Sequence, residues 1–183
     1  MLKAFGERIY TASETPVNVS GAVTADGTVY EAGASVISDK DNEDAQQDVI
    51  SALRKEAVDG IAADENVSLL GAFTLTAEHD GGSATFTVEL SEPLSFEGEP
   101  CVIIQNHRTN AYCAFAAEYS GSSLSFSVDA LEYYFSSATG RRRDVKESSA
   151  QAVHSGSSGG CSAGWGALAL LAVVPLALKK KTK

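Results

Sequence analysis

Three thiols, three imidazoles and many carboxylates are the side chains of this 183-residue chain that could do chemistry. His79, His107 and His154 are scattered along it, and none has a partner at the spacing of a metal site. Asp39, Asp41, Asn42, Glu43 and Asp44 offer the hard oxygen ligands that calcium takes. They lack the central glycine of a calcium loop, and the twelfth position from Asp39 is Ile50 rather than Glu. A helix N-terminus fits the same acids better, because they oppose the positive end of the helix dipole. No G-x-S-x-G, phosphate-loop or dinucleotide glycine pattern occurs, and SGSSGG at 155–160 lacks the setting of a nucleophile elbow. Arg141, Arg142 and Arg143 read as a solvated boundary, or as a spot facing an anionic envelope surface. These residues predict no catalytic group, no metal ligand and no cofactor.

The thiols at Cys101 and Cys113 belong to adjacent apolar runs. A three-residue turn over Arg108–Asn110 predicts Ile103 opposite Phe115 and Gln105 opposite Cys113. Both thiols then share a face, four residues apart, or roughly 13 Å. A disulfide needs Cα atoms within about 7 Å, so two buried free thiols are expected.

The elements that carry these residues divide by charge. The chain has 14 basic and 24 acidic residues, a net charge of -10. Eight of the basic residues stand at or beyond Arg141, and 22 of the acidic ones precede it, which leaves the first 140 residues near -16. An acidic body of this kind argues against a nucleic-acid partner, which needs a basic face.

The tail is a different polymer. Residues 147–160, ESSAQAVHSGSSGG, read as a flexible linker ending at Gly159, Gly160 and Cys161. From Trp165 to Leu178 the chain reads WGALALLAVVPLAL, without a charge, through Leu168, Leu170, Leu171, Val173, Val174 and Pro175. As a helix these residues span roughly 21 Å, short of a ~30 Å hydrocarbon core, and starting at Ser162 extends them to roughly 25 Å. The run is apolar all round, and Lys179, Lys180, Lys181 and Lys183 follow it as at the cytoplasmic end of a membrane segment. A membrane helix with its C-terminus inside is therefore expected, against the alternative of a buried helix.

The ordered unit of Gly-Gly-Cys, Ser162-Ala163-Gly164, Trp165, Gly166-Ala167-Leu168, the Ala/Leu/Val run broken by Pro175 and the basic end resembles the Synerg-CTERM protein-sorting domain. The resemblance covers about residues 157–183. It implies an exported bacterial protein held in the inner membrane by its tail. An intramembrane sorting protease would then process it and pass the body to the cell surface. Cys161 is then the landmark residue, with cleavage nearby and a thiol available for lipidation. Small residues at Gly159 and Gly160 leave a protease an unobstructed backbone, and Gly164, Gly166 and Pro175 weaken the helix that it must unwind. Residues 1–20 hold no apolar signal core, so the export signal is expected upstream of Met1.

The body reads as β structure around one helix. Val17, Val19 and Val23 alternate up to Asp26-Gly27, a two-residue hairpin signal that predicts Val23 opposite Tyr30. Ala45, Val49, Ile50, Leu53, Ala57 and Ile61 predict an amphipathic helix over 42–62. Asp80-Gly81 predicts a second hairpin, with Phe73, Leu75 and Ala77 opposite Val88, Phe86 and Ala84, and His79 exposed beside the turn. Leu124, Phe126 and Val128 alternate with serines in another strand, and Leu131–Phe135 is read as a further one.

The chain is thus expected to be mainly β, an antiparallel Ig-like sandwich with one amphipathic helix and a C-terminal membrane helix. The expected divisions are a hairpin-plus-helix segment at 1–66, a sandwich-like domain at 67–140, a linker at 141–160 and a sorting segment at 161–183. The expected function is a non-catalytic surface module, structural or adhesive, whose ligand the residues do not name. An accessory domain of an envelope enzyme and a permanently tail-anchored protein are the alternatives.

Overall fold

A computed structural model describes residues 8–63, 65–137 and 167–174. Strands β1 to β4 cover Tyr10–Ala12, Thr24–Val36, Val58–Asp59 and Val67–Glu89. Strands β5 to β8 cover Glu99–Gln105, Tyr112–Ser120, Ser123–Val128 and Ala167–Val174. Helix α1 spans Asp39–Arg54. The chain is mainly β with one amphipathic α-helix among the described residues, as its patterning predicts.

The two Asp-Gly dipeptides do not turn the chain. They face each other across one long antiparallel pair, β2 with β4, in which Gly27 lies opposite Ala84 and Val29 opposite His79. Residues 80–83 bulge between those two pairs. Gly27, Gly81 and Gly82 have φ of +121°, +91° and +81°, and the freedom that suits a hairpin serves a bulge equally. Beyond the bulge β4 changes partner, from β8 along Ser68–Leu75 to β7 along Ala84–Glu89.

That change of partner closes a barrel rather than a sandwich. β4 pairs with β7, β7 with β6, β6 with β5, β5 with β8, and β8 with β4, every pair antiparallel. Closure removes the free edges that a sandwich leaves. The inward set expected of β4 is buried throughout: Phe73, Leu75, Ala77, Ala84, Phe86 and Val88. Phe86 stacks on Phe126 with ring centroids 5.6 Å apart. On the outer face Thr85 pairs with Ser127 and Thr87 with Ser125, at 2.8 and 3.0 Å.

Ser38 caps α1, its Oγ accepting the Asp41 N–H at 3.2 Å, so the acidic run is the helix start. The helix stops at Arg54, short of the expected 62, because Glu56 turns to φ +56° and Val58 enters β3. Ala45, Val49, Ile50 and Leu53 form a second core outside the barrel, against Leu69, Ala72 and Ile103.

Two further expectations change. The hairpin loop has four residues, 107–110, closed by the Asn106 N–H donating to the Ala111 carbonyl at 2.8 Å. The Asn106 Oδ1 accepts the Arg108 N–H, and Asn110 sits at φ +57°. The ladder therefore shifts by one residue, with Ile103 opposite Ala114 and Ile104 opposite Cys113. Leu131–Tyr133 is a 3-10 turn, not a strand; Leu131, Tyr134 and Phe135 are buried at helical spacing.

Candidate functional site: the C-terminal strand in its slot

The tail enters the described structure as β8. Leu168, Leu170, Leu171, Val173 and Val174, expected in a membrane helix, lie instead in an extended strand. The reason is burial on both faces. Ala167, Ala169 and Leu171 join the barrel core, while Leu170 and Ala172 join the outer core with α1. A strand covered on both sides is apolar at every position, and over eight residues it cannot be told from a buried helix by periodicity. Among the described residues no helix is long and apolar enough to cross a membrane. Gly159, Gly160, Cys161, Trp165, Pro175, Leu178 and the lysines at 179, 180, 181 and 183 lie outside the described residues.

The slot that receives β8 is built by β4 and β5. On one side the register runs from Ser68 opposite Val173 to Leu75 opposite Ala167. On the other it runs from Glu99 opposite Val174 to Ile104 opposite Ala169. The ladder slips once, between Leu69 and Gly71. Gly71 has φ +144°, and a Cβ there would stand 2.6 Å from the Val17 nitrogen. Only glycine lets the chain leading into β2 pass so close.

A buried amide latch holds the helix over this irregular stretch. The Asn42 Oδ1 accepts the Ala72 N–H and the Gln46 Nε2, each at 3.0 Å. Gln46 also donates to the Ser13 carbonyl at 2.7 Å and accepts the Ser13 N–H at 2.9 Å. Both side chains are at most 1% exposed. The sequence signal was two amides four residues apart on the apolar face of α1, beside Ala45 and Val49. Asn42 stands in a run of acids at the helix start, which masks this signal.

The other titratable candidates do not converge. His79, expected to be exposed, is fully buried. Its Nδ1 accepts the Gly81 N–H at 2.8 Å and its Nε2 lies 3.2 Å from the Phe135 carbonyl, so it fastens the β4 bulge to the 131–135 turn. The guanidinium of Arg108 lies 4.4 Å over the ring of Tyr133. Cys101 and Cys113 are free, as expected, but only Cys101 is buried, Cys113 being half-buried, and the reason they stay apart is different. With the shifted register they point into different cores, Cys101 outward beneath α1 and Cys113 inward. Burial, helped by the charge of Glu65, pushes the Cys101 thiol up to about 12, which suppresses its nucleophilic form. His154, Arg141, Arg142 and Arg143 lie outside the described residues. Among the described residues no group of Cys, His and carboxylates is placed to hold a metal ion.

An open depression of about 730 Å³ is lined by Arg8, Ile9, Tyr10 and Arg54. Arg8 is already engaged there by Glu56 at 3.1 Å. What the described arrangement shows is a strand held by two backbone ladders between apolar walls. No family model matches the chain, and neither a curated protein nor a solved structure does.

Proposed function

We propose that the chain is an exported bacterial envelope protein, a non-catalytic structural or adhesive β module delivered by a C-terminal sorting segment. The observation that carries this reading is the order of residues 157–183: a small-residue linker, Gly-Gly-Cys161, Trp165, an uncharged apolar run broken by Pro175, and four lysines. The lysines favour a cytoplasmic C-terminus and an acidic body outside. Its partners are then the inner membrane and an intramembrane sorting protease, and the body reaches the cell surface after processing. The filled barrel interior supports a scaffold or binding module over a catalyst.

Intact mass of the protein recovered from its native envelope tests this. The expected mature chain ends near Cys161 and lacks Trp165–Lys183, and Cys161→Ala accumulates as full-length membrane-bound protein. A mature chain that keeps all of Trp165–Lys183 overturns sorting by cleavage. The burial of β8 favours one second reading, in which residues 167–174 are a permanent stave of the barrel. It predicts that same retained tail, in the soluble fraction.

A further inference from the structure

We propose that the slot between β4 and β5 is the binding site for the chain's own sorting strand, and that the barrel sheathes this strand until a membrane competes for it. The proposal rests on the reading that the tail enters a membrane. Six of the eight side chains of β8, those of Ala167 and Ala169 to Val173, are at most 1% exposed. Its backbone is laddered to β4 on one side and β5 on the other, so the strand hides every feature that would make it aggregate in water.

The same geometry makes β8 removable. β4 keeps β2 as a partner along Phe73–Thr87, and β5 keeps β6 along Cys101–Gln105, whether or not β8 is present. Twenty-nine residues separate Ser137 from Ala167 in the sequence, a chain length of at most roughly 100 Å. All eight side chains are Ala, Leu or Val, which are out of water in the slot and in hydrocarbon alike. The exchange therefore trades two β ladders for internal helical hydrogen bonds, the arrangement that lipid requires. Occupying the slot and spanning the membrane are mutually exclusive for these residues.

A reversible disulfide lock tests this in the full chain. Two variants, Ile103→Cys with Leu170→Cys and Ile104→Cys with Ala169→Cys, each join a registered β5–β8 pair. Successive antiparallel pairs alternate between close and wide spacing, so one of the two variants has the shorter Cα distance. The background carries Cys101→Ala, Cys113→Ser and Cys161→Ser, because Cys113 lies opposite position 104 and would compete for the new thiol. The probe is flotation with phosphatidylglycerol–phosphatidylethanolamine vesicles. The expected result is that the reduced chain floats at least roughly tenfold more than the oxidised one. Equal flotation of both forms overturns mutual exclusion. Failure of both cross-links to form in the folded chain overturns occupancy of the slot. A cross-link that forms while neither form floats removes the membrane reading on which the exchange depends. Should the variants not fold, hydrogen exchange of the native sequence replaces them. Vesicles are expected to deprotect Ser68–Leu75 and Pro100–Ile104, and unchanged protection of both in the floated chain overturns the proposal.

Discussion

Cys101 and Cys113 lie on paired strands but face different cores, and their chemistry should differ accordingly. Cys101 is buried and its thiol is held up to about 12, while Cys113 is only half-buried. Alkylation of the native chain should therefore modify Cys113 well before Cys101, as peptide mass mapping will read. The folded chain also keeps a proton on Cys101 that the unfolded chain releases from about pH 9. This contribution to stability is complete below that pH and is lost as pH rises from about 9 toward 12, at up to about 1.4 kcal/mol per pH unit. Urea midpoints between pH 8 and 11 will show it, and Cys101→Ala should flatten the decline. The amide latch gives a second test. Asn42→Ala leaves the buried Ala72 N–H without its acceptor and should cost about 1–3 kcal/mol in urea unfolding. Asn42→Ala and Gln46→Ala should be non-additive, because the two amides bond each other.

At the scale of elements, what could be read in the sequence depended on how local its cause was. The inward faces of β4 and β7 were legible because alternation is a property of neighbouring residues. The start of α1 was legible from its acids, although Ser38 is the residue that caps it, and Ser38→Ala should cost about 1 kcal/mol. The Asp-Gly sites were not legible, because a bulge and a hairpin make the same local demand on glycine. Only the pairing of Gly27 with Ala84, 57 positions away, selects the bulge. The four-residue loop carries no glycine signal, because Asn110 supplies the left-handed residue that is more often glycine. The residues of β8 suit a helix as well as a strand, because two-sided burial erases periodicity. Gly71→Ala tests the slot at this scale. It combines a positive φ with a Cβ clash against Val17, and should cost at least about 1–3 kcal/mol while weakening protection of β8 before that of β7.

The described residues form a barrel closed by a strand from the apolar run near the C-terminus. The division into an acidic body and a basic tail is legible from charge alone. The closure was not, because it joins Ala167–Val174 to strands some 100 positions earlier and 70 positions earlier, across the linker. Without β8, the β4–β5 edge would stand open with Phe73, Leu75, Val102 and Ile104 behind it. The measurement that most directly tests this closure is amide hydrogen exchange of the unprocessed chain in water without detergent, read at residues 167–174. A central stave predicts protection comparable to that of Val102–Ile104 in β5. Exchange of 167–174 at the rate of an unstructured peptide, with β5, β6 and β7 still protected, would contradict it.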